Sequence, residues 1–152
     1  MTGEYLLMLA SRWLHILSAA LAIGAPLYVR FVLMPAMMSL DAENRGRLSE
    51  AVARRWRIIV HLLIVIFLVT GFYNFLGVAR WKKFPPDEKF QYHLLFGIKL
   101  VIALAMFTIS SGLAGRSKLF APMRERSRLW LTILIALGVA ILGISGTMRH
   151  IQ

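Results

Sequence analysis

Four stretches of this chain lack the alternation of apolar and polar positions that marks a surface helix. Residues 5–38, 54–79, 88–113 and 127–149 read as helical runs that are apolar on nearly every side. Within them, 58–79 and 129–148 carry no acidic or basic residue except His61, and 90–115 carries Lys99 and His93. Each run reaches the roughly 20 residues that cross about 30 Å of hydrocarbon. The pattern therefore predicts an all-α fold, an integral membrane antiparallel four-helix bundle in one domain spanning 1–152. Pro26 falls inside the first helix and should kink it, and Pro35 marks its frayed end. "WKKFPPDEKF" (81–90) reads as a short turn, with Trp81 at the membrane interface and Asp87 and the prolines starting the third helix. The first run is read as retained rather than cleaved. Glu4 precedes any basic residue, and apolar sequence continues past Arg30 to Leu40 without a small-residue cleavage site.

The two halves run in parallel. "RRWRIIV…LVTGFYN" (54–74) and "SRLWLTI…GISGTMR" (127–149) share basic residues, a Trp, an apolar run and then a small residue followed by Gly. His15 opens the first hairpin and His93 the second. The likeness reads either as two duplicated helical hairpins or as chance similarity among apolar runs.

Composition strengthens the membrane reading. Hydrophobic residues make up 59% of the chain, and soluble domains are rarely this apolar. The net charge of +11 would by itself suggest nucleic acid, but its placement argues against that partner. Ten basic residues lie in 40–57 and 112–128, which fall on one side of the bundle, and six lie on the other. The positive-inside rule then puts both termini outside, in an inner (cytoplasmic) membrane, with the lipid bilayer as the surrounding partner. The chain has no cysteine, which excludes disulfides, zinc–thiolate sites and iron–sulfur clusters. Phosphate-cradling glycine loops, paired carboxylates and HExxH are also absent from the sequence.

The candidate chemistry lies in ionisable residues inside apolar runs, where they are costly. Ser11, His15, Ala19, Ala22 and Pro26 share one face of the first helix. That face is either a close helix–helix seam or a slot for a flat cofactor ligated by His15. His93 enters from the same side on the third helix, with Gly97 one turn on. Two imidazoles from facing helices can hold haem iron from both sides. Arg12 and Arg149 lie at that end and could pair with propionates. Lys99 lies deep in the third run, on a stripe with Tyr92, Ala103, Met106 and Ser110. It either snorkels or meets an anionic group, and Arg30 poses the same choice near the end of the first run. No acidic residue occurs inside a run, so an internal ion pair is excluded. His61 faces Ile64, Val65 and Leu68, a packing or lipid surface, and His150 sits near the end of the sequence. Met34, Met37 and Met38 cluster at the far end of the first run and raise the alternative of copper.

"RWLHIL", "GAPLYVR", "RRW" and "FGIKL" together resemble the CopD-like (copper resistance protein D) four-helix membrane proteins and, distantly, the HemJ-type membrane protoporphyrinogen oxidases. In the HemJ-type pattern, His15, Gly24, Tyr28 and Arg30 match the first helix. "FGIKL" keeps the lysine of the third-helix motif as Lys99 and has Gly97 in place of its histidine. The resemblance thus implies haem without carrying over the oxidase activity, and its CopD side implies copper handling. The leading expectation is a haem b-binding membrane protein, with His15 and His93 as iron ligands, serving electron transfer or a linked oxidoreduction with a redox partner. The alternatives are a copper-handling protein of CopD type and a non-catalytic helical subunit of a larger membrane complex.

Overall fold

The computed structural model describes the backbone of residues 3–81 and 85–151 and the side chains of 3–77 and 85–148. The side chains of Arg149 and His150, and the interfacial placement of Trp81, lie outside the described residues. The chain forms α1 (Gly3–Tyr28), which runs through a π-helical segment (Val29–Leu33) into α2 (Met34–Met37). It continues through α3 (Ala42–Trp81), α4 (Pro86–Ala114), a 3₁₀ turn (Lys118–Phe120), α5 (Ala121–Glu125) and α6 (Ser127–Ile151). Four helical units, Gly3–Met37, Ala42–Gly77, Pro86–Ala114 and Ser127–Met148, are long and apolar enough to cross a bilayer. The fold is the antiparallel four-helix membrane bundle that the sequence pattern predicts.

Pro26 leaves the carbonyl of Ala22 without its helical donor. The chain does not break there. Three residues later the helix passes into wider i→i+5 turns, and the amide of Met34 donates to the carbonyl of Val29. Pro35 starts α2 instead of fraying α1.

The expected start of the second helix, near residue 54, is corrected to Ala42. Asp41 caps the new start, accepting from the Asn44 amide at 2.9 Å and from its side-chain nitrogen at 2.6 Å. These bonds hold the Asp41 carboxyl below its ordinary pKa. Glu43 and Arg47 pair at i,i+4 across 2.8 Å on the exposed face. Apolar runs mark where a helix enters hydrocarbon, and this helix begins about three turns earlier, in polar sequence of high helix propensity. At 40 residues, α3 is about 60 Å long.

The bundle core is formed by Phe67 of α3, Ala103, Met106 and Ile109 of α4, and Leu131, Leu134 and Ile141 of α6. Ala19 and Ile23 of α1 pack against it. The opposite stripes face outward: Ile58, Leu62, Val65, Val69, Phe72 and Leu76 of α3 are all exposed at three- and four-residue spacing, as a lipid-facing surface requires. Packing is most extensive within the two hairpins, α1 with α3 and α4 with α6. Helices α3 with α4 and α1 with α6 close the ring, leaving α1 and α4 on a diagonal.

A glycine fixes how closely α1 and α6 approach. A Cβ added at Gly138 would lie 2.8 Å from Cγ1 of Ile23. Gly138→Val should therefore destabilise the bundle by about 1–3 kcal/mol through overpacking, and adding Ile23→Ala should restore much of the loss. Thermal unfolding in detergent checks this; a Gly138→Val protein that melts like the parent would show that the seam is not tightly packed.

Candidate functional site

The small-residue face of α1 brings His15 against α3. The ring lies 4.2 Å from the Phe67 ring, centroid to centroid, and Gly71 leaves room for its edge. A Cβ at Gly71 would come within 3.1 Å of His15 Cε1. His15 Nδ1 lies 3.0 Å from Thr70 Oγ1. Thr70 has a single hydroxyl proton, and it goes to the Ile66 carbonyl at 2.6 Å. The Thr70 oxygen is thus the acceptor and His15 Nδ1–H the donor. In the neutral ring this leaves the lone pair on Nε2, the nitrogen able to bind a metal or take a proton.

One turn further along, the same face is closed. The void between Ala19, Ala22, Phe67, Ala103 and their neighbours measures about 20 Å³, and its lining is apolar. Of the two readings of the small-residue face, close helix contact describes this stretch. Pro26, at its far end, is buried as well.

Lys99 lies on the core stripe of α4, in line with the buried Tyr92, Ala103 and Met106. No carboxylate pairs with Lys99 among the described residues. His93 lies six residues earlier on a different face. It is exposed, its Nδ1 donates to the Lys89 carbonyl at 2.7 Å, and its ring meets Phe75 edge-on at 5.5 Å. Phe75 in turn stacks on Phe96 at 3.8 Å, forming an aromatic cluster between α3 and α4. Arg12 is exposed one turn before His15. His61 is exposed and bonded back to the Arg57 carbonyl at 2.7 Å, consistent with its apolar surroundings in the sequence. Of the three histidines with described side chains, His15 alone bonds to another helix.

Arg30 sits in the π segment. Its Nε is buried without a partner, and its guanidinium carbon lies 5.4 Å from the centroid of the Phe31 ring. The buried Ser11 hydroxyl likewise has no partner.

Sequence reasoning did not find a large cleft among the described residues. A cleft of about 1190 Å³ opens at the opposite end, between α1, α3, α4 and α6. Thr70 and Gly71 were visible as the small–Gly pair of the parallel halves, but nothing local linked them to His15. The cleft left a fainter trace: the arginines of 40–57 and 112–128 appear in sequence only as topology signals.

No protein-family model, curated protein or solved structure matches this chain.

The His15–Thr70 bond yields a direct test. In ¹⁵N spectra of histidine-labelled protein, neutral His15 should carry its proton on Nδ1. Thr70→Val, nearly the same shape, removes the acceptor and should destabilise the fold by about 1–3 kcal/mol while releasing the tautomer preference. Unchanged spectra and stability would refute the assignment.

Proposed function

We propose that the protein is a haem b-binding integral membrane protein serving electron transfer or a linked oxidoreduction, in which His15 would hold the iron through Nε2. The observation that supports this reading is the fixed state of the ring. Metal-binding histidines typically donate their second nitrogen to a neighbouring acceptor, which sets tautomer and orientation, and His15 has that bond to Thr70. His93 is the second ligand in this reading. Its Nδ1 is likewise anchored, to the Lys89 carbonyl. Lys99 and, toward the helix end, Arg12 offer cations to the acidic groups of such a cofactor. The role of Arg30 is the same in kind: a part-buried guanidinium with an unpartnered Nε suits a second anionic ligand. With no cysteine in the chain, attachment is non-covalent.

A bound haem would supply a one-electron redox centre. The chain's own residues hold the proton on His15 Nδ1 and cover one side of the ring with Phe67. The electron partner is then a membrane redox carrier or a neighbouring subunit of a larger complex. The copper alternative draws less support. Met34, Met37 and Met38 line the cleft together with five arginines, whose field repels a metal cation. Met38 Sδ lies 3.3 Å from the Arg128 guanidinium.

Protein purified in mild detergent from haem-replete cells should be coloured, with the sharp reduced bands of six-coordinate low-spin b-type iron. His15→Ala should empty it of haem. His93→Ala should leave less haem, in a five-coordinate high-spin form, and His61→Ala should change neither. A colourless, haem-free preparation would sink this reading, and stoichiometric copper in it would support the copper one.

The proposed setting is a cytoplasmic membrane with both termini outside, on the strength of the arginine bias between the two ends. Reporter fusions after Gln152 should be active outside and those within 40–57 inside; the reverse pattern would overturn this orientation.

A further inference from the structure

The cleft at the arginine end has two parts of opposite character. Its floor is apolar, formed by Pro26 of α1, Val60 and Leu63 of α3, and Leu131 and Leu134 of α6. Its rim carries Arg45, Arg57, Arg116, Arg124 and Arg128 against one acid, Glu50. Glu50 is already engaged, 2.7 Å from Arg116. The other four arginines have no carboxylate partner among the described residues. Two of them cap the end of α4: Arg57 Nε donates to the Ala114 carbonyl at 3.0 Å, and Arg124 to those of Gly112 and Ser117 at 3.4 and 2.9 Å. Both remain cationic. Among the described residues the Arg128 guanidinium finds the Met38 thioether as an acceptor, at 3.3 Å, and a thioether is a weak partner for a guanidinium.

We propose that this cleft binds an anionic phospholipid, with its phosphate among Arg45, Arg124 and Arg128 and an acyl chain along the apolar floor. Charge complementarity selects the headgroup, because guanidinium groups pair with phosphate in two-point contacts. The floor selects an amphiphile over a free anion, since a soluble anion would leave that apolar surface uncovered. At about 1190 Å³ the cleft exceeds the roughly 300–1,000 Å³ common for small-molecule sites. Basic recesses between membrane helices are known to take lipid headgroups. The site lies at the other end of the bundle from His15 and does not depend on what His15 binds.

Native mass spectrometry from mixed micelles of phosphatidylglycerol and phosphatidylcholine tests the proposal. The protein should retain one phosphatidylglycerol in preference to phosphatidylcholine. Arg45 and Arg128 are exposed and, among the described residues, their side chains make no hydrogen bond to backbone, so Arg45→Gln with Arg128→Gln keeps the fold, which circular dichroism verifies. That double variant should lose retention by about tenfold or more. Ala53→Phe, which narrows the cleft without touching charge, should also weaken it, and His15→Ala should not. Equal retention of the two lipids, or unchanged retention in the arginine variant, would overturn the proposal. So would displacement by inorganic phosphate at constant ionic strength, because the site would then read a free anion.

Discussion

Hydrocarbon offers a polar group no hydrogen-bond partner, so most polar side chains in the spans are satisfied within their own chain. The structure answers this demand in two ways. Most groups turn back on their own helix: Thr108 to Leu104, Thr132 to Arg128, Ser145 to Ile141, and the rings of His61 and His93 to the carbonyls four residues earlier. A few reach across, and those mark where the bundle is specified. His15 reaches Thr70, and Arg57 reaches the end of α4. The first type satisfies a donor locally and leaves the helix free to rotate. The second fixes one helix against another in both register and rotation.

The fold was legible because lipid makes the simplest demand a sequence can meet. Runs such as 58–79 and 129–148 needed only to be long and uncharged, and their helices follow. The start of α3 was not legible by the same signal. Residues 42–57 leave hydrocarbon, hydropathy falls silent, and the helix is carried instead by the Asp41 cap, the Glu43–Arg47 pair and good helix formers. The prolines of α1 were visible as a disturbance, but the form it takes, the wider turns of Val29–Leu33, was not.

The candidate site divides in the same way. Periodicity placed His15 on the small-residue face and Lys99 on the stripe of Tyr92, Ala103 and Met106, which is the buried stripe of α4. It could not say that the small-residue face meets α3 at His15, or that Thr70 and Phe67 complete the surroundings of the ring. Those are facts of helix rotation and ring order in the bundle, and no local pattern encodes them. The arginine-rimmed cleft is a stronger case. Its rim comes from two connecting regions some 60 residues apart, and each of them looks in sequence like an ordinary solvated loop.

The two helices that meet at His15 differ in stiffness. α1 carries Pro26 and a π-helical segment, a lengthwise weak point between His15 and the arginine end. α3 has no proline over its 40 residues. It carries Arg57 at the cleft and Thr70 at the His15 ring on one rod, thirteen residues or about 20 Å apart. A tilt imposed on α3 at one end is therefore delivered to the other, while α1 can flex at its proline and stay behind. The oxygen that holds His15 belongs to the rigid member of the pair and the ring to the compliant one. Mechanically, the His15–Thr70 bond ties a helix without proline to one interrupted by Pro26 and wider turns.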